Sequence, residues 1–574
     1  MSDIFFLVLR KLRTPLIVLI SVYAIATLGM TLIPGIDKNG DPWHMSFFHA
    51  FYFVSFMGTT IGFGEIPHEF TDTQRAWVLL CIYTSVISWL YAIGTMLTLA
   101  QDPTFKSAIT NRAFERSIRS IDLPFHIICG YGSTGASINS GLSNLGIQTV
   151  VIDKNSERSS SFELQDLTIN PILLSADATI PRNLIAAGIN HERCKGLIAV
   201  TEDDHTNLQI ALNCKLLNKQ LPVICRSEIE DEGNNMASFG TDNIINPYLN
   251  FAESLSILAK NPSLHKLHNW FINQQHSSHF SERRPPNGLW IICGHGRLGK
   301  AIREKLNNPE IQIKVIDPNP QESNAPVDSI TGRGTEANTL EQANITEAAV
   351  IIAATDDDAN NLSILLTAKE LNPKIYSIAR VSVDSNEPLF IRAKSDVVVR
   401  VSQIIANHAL TLISRPLVTN FIQYSNKLSQ DQVDDLVDEI NQLTHNSDPA
   451  TWRLVIDQNH ATALHQFLNS GFELTLSQIC EHRSMPNNRA IPLLLKRNGN
   501  NHLIPSLDMP LMAGDEVLFC GDQKTTLLPQ HMSNNIELID TLINNNQHYI
   551  PLLRWLSRTK RGNRFHSKST PVDY

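Results

Sequence analysis

Two stretches of this chain repeat one another 164 residues apart, and that repeat constrains the fold more than any other feature. Phe125–Gly130 reads FHIICG and Leu289–Gly294 reads LWIICG. Each is a short buried-strand pattern that runs straight into a glycine-rich turn. The glycines are spaced G-x-G-x-x-G: Gly130, Gly132 and Gly135 in the first copy, Gly294, Gly296 and Gly299 in the second. A second apolar run then ends in an acid, Asp153 or Asp317, 18 residues beyond the last glycine in both copies. The order continues to match. Asp177-Ala178-Thr179 parallels Arg333-Gly334-Thr335, and Thr201-Glu202-Asp203-Asp204 parallels Thr355-Asp356-Asp357-Asp358. Asn207-Leu208 parallels Asn361-Leu362, and Val223–Arg226 parallels Tyr376–Arg380. Strand, turn, helix and strand in this order predict two doubly wound, nucleotide-binding-type α/β domains. Asn246–Phe271 and Arg400–Phe421 echo each other as well, each reading as a long amphipathic helix with a proline (Pro262, Pro416) at a matching place.

The turn carries the chemistry. Its glycines let the backbone approach a pyrophosphate, and the helix that follows aims its N-terminal N–H groups at the anion. An acid at the end of the second strand accepts from ribose hydroxyls. Candidate nucleotide contacts are therefore Gly130, Gly132, Gly135, Asp153, Asp177, Thr201 and Arg226 in the first copy, and Gly294, Gly296, Gly299, Asp317 and Arg333 in the second. Arg333 stands where the first copy has Asp177. That swap favours a phosphate, repels a cation, or makes an internal pair with Asp317 or Glu336.

The N-terminal hundred residues read differently. Leu16–Ile33 is 18 residues without a charge, and Ala76–Ala100 is 25. Both are long enough to span a membrane. Arg10, Lys11 and Arg13 precede the first, and Lys106, Arg112, Arg116 and Arg119 follow the second. Basic flanks on both outer ends place both termini in the cytoplasm, at the plasma (inner) membrane of a multi-pass protein. Between the spans, Ser46–Gly58 is apolar but too short to cross, so it reads as a re-entrant helix. Thr60-Ile61-Gly62-Phe63-Gly64 follows, then Glu65. Glycines at alternating positions let an extended backbone turn its carbonyls inward, and four such strands would replace the hydration shell of K⁺.

In these residues the chain resembles the two-helix K⁺ channel pore: span, pore helix, T-I-G-F-G-E filter, span. The usual filter is TVGYG followed by Asp, so Ile61, Phe63 and Glu65 are departures. The tyrosine hydroxyl behind the filter is lost. Phe56 stands where some relatives carry a bracing carboxylate, so the resemblance implies that this brace is absent too. The second span would line the inner pore, with Ser85 and Gly94 as gate or hinge candidates.

The repeat resembles the RCK domain, the regulator of K⁺ conductance, also called TrkA-N, over about 125–430. A weaker likeness to the TrkA-C lobe covers about 449–526, through Asn501–Gly521 with its Ala513-Gly514-Asp515 turn. The resulting fold class is an α-helical membrane pore of two spans and a re-entrant helix, followed by two α/β Rossmann-like RCK domains and a small C-terminal α+β lobe. The expected divisions are the pore at 1–100, a linker at 101–123, RCK units at 124–285 (with a crossover helix) and 286–445, the lobe at 446–530, and a C-terminal helix and basic tail (Arg558–Lys568) at 531–574. The resemblance implies a homotetramer with eight RCK units in a gating ring. It implies K⁺ as permeant ion and a nucleotide, NAD⁺/NADH or ADP/ATP, as regulator. No voltage-sensor helix precedes the pore, which argues against intrinsic voltage gating.

Composition excludes other classes. The net charge of −9 argues against a nucleic-acid partner. A mean hydropathy of −0.09 excludes a chain built mostly of membrane helices. Eight cysteines form no C-x-x-C pair, which indicates reduced cytosolic thiols and no zinc site. Glu202–Asp204, Asp356–Asp358 and Glu228–Glu232 offer hard oxygen ligands for Ca²⁺ or another divalent ion, although acids at helix N-termini favoured by the dipole explain them as well. His276 and His279 read as ordinary polar positions. Two alternatives remain: a non-conducting regulatory subunit of a K⁺ transport system, and a membrane-anchored NAD-dependent oxidoreductase. The latter lacks a substrate domain with an acid/base set, so the chain is not expected to be an enzyme.

Overall fold

The computed structural model describes residues 2–102, 113–155, 167–272, 284–445, 447–480 and 489–522. Lys106, Arg112, His276, His279, residues 103–112 of the linker and all of 531–574, with its basic tail, lie outside these described residues. The chain divides into two units, one built mainly from Met1–Asp122 and one from the rest.

In the first unit, α1 (Ser2–Leu32) is followed by a small antiparallel hairpin, β1 (Gly35–Ile36) and β2 (Pro42–Trp43). Then come α2 (Phe47–Gly58) and α3 (Asp72–Gln101). Leu9–Leu32 and Asp72–Gln101 are long and apolar enough to cross a membrane. Ile20, Leu28, Tyr83, Leu90 and Met96 are more than half exposed within the single chain. Apolar surface on this scale needs lipid or other copies to cover it. α3 starts four residues before the apolar run because Thr71 and Gln74 form a capping box there. Ser46 caps α2, whose Ala50, Phe53, Val54, Phe56 and Met57 pack with Ala26 and Met30 of α1 and Cys81 of α3. Lys11 reaches Asp102 at 2.5 Å, tying the far ends of α1 and α3 together.

The second unit holds two six-stranded parallel sheets. The first contains β3 (Phe125–Cys129), β4 (Gln148–Asp153), β5 (Ile172–Ser175), β6 (Cys194–Ala199), β7 (Val223–Arg226) and β8 (Asn243–Ile245) in the order β5-β4-β3-β6-β7-β8. Its helices include α4 (Ser133–Asn144) and α5 (Asp204–Leu217). After β8 the chain forms α6 (Pro247–Lys260) and α7 (Pro262–Ile272). The second sheet repeats the order as β11-β10-β9-β12-β13-β14, from β9 (Gly288–Cys293), β10 (Ile311–Asp317), β11 (Ile330–Thr331), β12 (Ala348–Ala353), β13 (Tyr376–Val381) and β14 (Val397–Arg400). Helices α8 (Arg297–Lys305) and α9 (Asp358–Leu371) belong to it. Beyond it lie α10 (Val401–Ser414), α11 (Pro416–Ser425) and α12 (Gln430–Thr444). The strand order reverses at β3 and at β9, so each sheet has a crevice at the carboxyl ends of its strands.

One feature corrects the sequence reading. Asn246–Phe271 and Arg400–Phe421 are each a pair of helices, not one long helix. Pro262 and Pro416 open new helices because proline cannot donate the intrahelical bond that continuation requires. The two domains also exchange these helices. Tyr248, Phe251, Leu255 and Ala259 of α6 join the core of the second sheet around Trp290 and Leu298. Ile405, Ala406, Ala409 and Leu410 of α10 join the first sheet around Ile138 and Leu142. Each domain thereby completes the other's core.

The C-terminal lobe is an antiparallel sheet, β15 (Ala450–Val455), β18 (Glu516–Gly521), β16 (Ile491–Arg497) and β17 (Asn500–Leu503) in that order, with its own buried core. Its turn at Ala513–Asp515 is locked by Arg497, which donates twice to the fully buried Asp515 at 2.8 and 2.6 Å. All eight cysteines are buried and unbridged.

Below the exchanged helices, α7, α11 and α12 form a further apolar layer against β16 and β18. His265 and His268 of α7 are buried in it, and burial pushes both down to about 4. Unfolded histidines titrate near 6.5. The stability supplied by their neutral forms is present above pH 6.5 and is lost as pH falls toward 4. Full-length protein is expected to unfold at a lower temperature at pH 5 than at pH 7. His268→Gln keeps a donor toward Ser425, 2.8 Å from the His268 Nε2, and should flatten that slope. An unchanged slope would refute the assignment.

Candidate functional site

Two sites arise, one in each unit. The first follows α2. Its last turn accepts the Thr60 and Ile61 amides on the carbonyls of Met57 and Phe56, at 3.1 and 3.0 Å. From there φ is positive at every second residue: 62° at Thr60, 66° at Gly62 and 94° at Gly64. Alternation of this kind brings successive carbonyls toward one side of an extended strand, and glycine adopts it without strain. Phe63 packs edge-on against the buried Phe56, with ring centroids 5.4 Å apart. An aromatic contact thus stands where the resemblance leaves the brace absent. Glu65 is gripped by Arg75, whose Nε and Nη2 donate at 2.9 and 3.1 Å, and by the Phe70 amide at 2.8 Å. Arg75 escaped the sequence reading. Its signal was the one base of a long apolar helix, in its first turn beside Asp72 and ten residues from Glu65. Ser85 is fully buried, and its hydroxyl donates to the Ile82 carbonyl of its own helix. Gly94 has open space beside it.

The second site is a cavity of about 320 Å³ at the carboxyl ends of β3, β4, β6 and β7, where the strand order reverses. Gly130, Gly132, Asp153, Asp177, Thr201 and Arg226 all line it, together with Ser133, Thr134 and Lys154. The fold gathers residues spread over nearly a hundred positions around the N-terminus of α4, which carries the positive end of the helix dipole. Gly135 is not in the lining. A Cβ there would stand 2.1 Å from the Gly130 carbonyl oxygen, so Gly135 lets α4 pack against the turn. Asp153 accepts the Tyr131 amide at 2.5 Å and the Asn155 amide at 2.7 Å and is partly exposed to the cavity. Asp177 takes the Thr179 amide and hydroxyl at 2.9 and 2.6 Å and pairs with Lys154 at 3.0 Å. Partial burial raises its carboxyl, but Thr179 and Lys154 outweigh burial and hold it below its usual range. Thr201 is oriented by the Asn207 side chain at 2.7 Å. The Nε of Arg226 is buried and has no hydrogen-bond partner among the described residues. This is a donor at the rim of an anion-sized cavity.

The second copy has the same backbone with different contents. Gly294 and Gly296 form the turn, and a Cβ at Gly299 would stand 2.1 Å from the Gly294 carbonyl oxygen, as at Gly135. Asp317, however, is only 6% exposed. Its carboxylate accepts from the His295 and Asn319 amides at 2.7 and 2.9 Å, and the His295 ring Nδ1 lies 3.1 Å from the Ser323 carbonyl in the following loop. Arg333 pairs with neither Asp317 nor Glu336, which corrects the internal pair weighed above. The carboxylate meets backbone amides of its own turn and loop instead. The turn itself carries a basic residue, Arg297, whose side chain is 44% exposed. It donates to Glu228 of the first domain and, at 3.0 Å, to Asp356. Arg297 replaces Ser133 of the first copy, which was the one signal for it in the sequence.

The acidic runs have structural partners. Asp203 and Asp357 cap α5 and α9. Asp204 accepts the Glu228 and Ile229 amides at 2.7 and 2.8 Å, and Asp358 those of Ser382 and Val383 at 2.7 and 3.1 Å. Among the described residues no group of three or more His, Cys, Asp or Glu is placed to hold a metal.

Comparison with known proteins gives two family matches: an ion channel domain at residues 17–102, and a TrkA-N domain twice, at 126–247 and 290–401. Potassium channel protein 1 of Methanocaldococcus jannaschii is 26% identical over 255 residues, 44% of this chain and 72% of that protein. A Trk system potassium uptake protein TrkA homolog of Methanothermobacter thermautotrophicus is 37% identical over 139 residues, 23% of this chain and 63% of its own length. Among solved structures, the GsuK channel aligns with 92% of this chain and 99% of its own, at 17% identity and a TM-score of 0.45.

Proposed function

This chain, homologous to archaeal potassium channel proteins, joins an ion channel domain to two TrkA-N domains, and from that premise we propose that it forms a ligand-gated K⁺ channel. One chain supplies one filter strand, so four chains surround the pore and contribute eight TrkA-N domains to a cytosolic ring. The carbonyls of Thr60, Ile61, Gly62, Phe63 and Gly64 take the place of water around K⁺. Both termini are cytoplasmic, and α3 lines the inner pore with Gly94 as its flexible point.

The regulator is an adenine nucleotide, of the NAD or ADP/ATP class, held in the first domain. Its phosphates meet the N-terminus of α4 and Arg226, and its ribose meets Asp153. The observation that carries this reading is the pairing, in one chain, of an alternating-φ strand between two spans with an acid-bearing glycine-rich cavity. Arg226 and Lys154 supply positive charge there, and Asp153 supplies the hydroxyl acceptor. A ligand shifts the gate only by its differential affinity for the two ring shapes. Taking a gate from 1:99 to 99:1 needs about 5.5 kcal/mol, or a factor of about ten in affinity at each of four sites, which a multiply charged nucleotide supplies.

The test is K⁺ flux into liposomes holding the purified protein, with NAD⁺, NADH, ADP or ATP added and Na⁺ as the control ion. K⁺-selective flux altered by one nucleotide supports the reading. Absence of flux in every condition refutes it.

The Glu65–Arg75 pair bounds the outer end of the filter. Arg75→Gln leaves Glu65 with the Phe70 amide alone. The expected result is a several-fold fall in K⁺ over Na⁺ discrimination, read as the ratio of the two fluxes, with oligomeric state unchanged.

A further inference from the structure

Between the two Rossmann domains lies a cluster of five charges, Arg226, Glu228, Arg297, Asp356 and Arg380. Arg226, at the end of β7, donates through Nη2 to Glu228. Glu228 is 8% exposed and accepts Arg297 on its other oxygen. Arg297 belongs to the glycine-rich turn of the second domain and reaches Asp356 with its second Nη at 3.0 Å. Asp356 also accepts Arg380, which occupies in β13 the place Arg226 holds in β7. The Arg297 and Arg380 guanidiniums lie over the Tyr248 ring, 5.4 and 5.2 Å from its centroid, and the Tyr248 hydroxyl lies 3.4 Å from Glu228. Three arginines thus share two acids, and Glu228 is held by one arginine from each domain.

Arg226 faces both ways. It lines the cavity of the first domain, where its buried Nε has no partner among the described residues, while its Nη2 holds Glu228. A phosphate in that cavity competes with Glu228 for the same guanidinium. That competition shifts charge along the chain of pairs from Arg226 through the buried Glu228 to the more exposed Arg297 and Asp356. As Arg226 turns to the ligand, Glu228 keeps its charge and only Arg297 remains to neutralise it. A buried carboxylate cannot be left unpaired without a large cost. Arg297 is therefore drawn toward Glu228 and away from Asp356, and it sits in the first turn of α8, the helix packed against α6 of the first domain.

We propose that Glu228 is the positioning residue that relays occupancy of the first cavity to the second domain, and that the second glycine-rich turn receives that signal through its Arg297. The relay rests on the reading of the first cavity as the nucleotide site. By linkage, residues on the two sides of the relay affect nucleotide affinity in opposite directions. Removing the competitor of the ligand, in Glu228→Gln, frees Arg226 and tightens binding. Removing the fallback partner of Glu228, in Arg297→Gln, leaves Glu228 clinging to Arg226 and weakens binding. Both changes cut the path to the gate.

The experiment uses the full-length protein, with calorimetric titration of ADP and NAD⁺ and liposome flux with and without each. The expected result is several-fold tighter binding in Glu228→Gln, several-fold weaker binding in Arg297→Gln, and a flux ratio near one in both. Affinity weakened in both variants is the mark of a merely structural cluster and overturns the relay. So does a wild-type flux ratio in either. Should Glu228→Gln fail to assemble, Arg297→Lys decides: it keeps a charge for Glu228 and should restore the binding and the flux response lost in Arg297→Gln, and absence of that rescue overturns the relay. Failure of the wild-type protein to bind ADP or NAD⁺ refutes the cavity reading and the relay with it. Binding and a nucleotide-dependent flux that survive both substitutions refute the relay alone.

Discussion

Gly62→Ala is expected to abolish K⁺ flux, by at least a hundredfold, while nucleotide binding to the ring is untouched. Gly62 has φ of 66°, with Thr60 and Gly64 also positive on either side. A residue with a Cβ pays about 1–2 kcal/mol to stay in that region. Four copies surround the proposed pore, so the filter as a whole is strained by roughly 4–8 kcal/mol, three decades or more in the population of the conducting form. The strain is relieved if the peptide beside residue 62 turns over, and its carbonyl then leaves the row that faces the ion. Nothing in the single chain lies within 4 Å of the added Cβ, so the loss comes from backbone conformation and not from misfolding. The measurement is liposome flux, with ADP and NAD⁺ titration on the same preparation as the integrity control. A Gly62→Ala channel that conducts like wild type would remove the filter assignment.

The second large effect is expected at Asp153. Its two oxygens already hold the Tyr131 and Asn155 amides, which fixes the carboxylate at the cavity edge. Hydrogen bonds to a charged group are worth about 1.5–3 kcal/mol each. Two ribose hydroxyls on one carboxylate therefore carry roughly a hundredfold or more in affinity. Asp153→Ala should weaken NAD⁺ or ADP binding by that amount, read by calorimetry on the intact protein. The matching change in the second copy, Asp317→Asn, should leave affinity within about twofold, because Asp317 is buried beneath its own turn and loop. Equal losses at both positions would mean that both domains bind nucleotide. No loss at Asp153, with the oligomer intact, would mean that the ribose lies elsewhere.

The two acids show where reading the sequence stops. Asp153 and Asp317 have the same spacing from their glycines, so periodicity and spacing assign them one role. Their difference in exposure accompanies a histidine ring and a loop carbonyl beside Asp317, and nothing in the spacing of glycines encodes these. Gly135 and Gly299 are a related case. The motif groups them with the ligand-facing glycines, yet both serve helix packing. Glu228 was legible only as one member of an acidic run. Its partners Arg226 and Arg297 are 2 and 69 positions away, and pairing across that distance depends on which helices the domains exchange. The prolines at 262 and 416 mark where the exchanged helices have ended, but they do not state which core each helix enters.

The sequence by itself determined the two apolar spans, the short helix and glycine pattern between them, the strand order implied by the repeat, and the acids at the ends of the second strands. All of these follow from local period, from residue type and from backbone freedom at single positions. Only the tertiary structure decided that Asp153 lines an open cavity while Asp317 is buried, that Arg75 grips the filter-end acid, and that one buried carboxylate serves two arginines from two domains. Those outcomes depend on burial and charge competition among residues far apart in the chain, and a buried charge takes whichever partner the packing brings within reach.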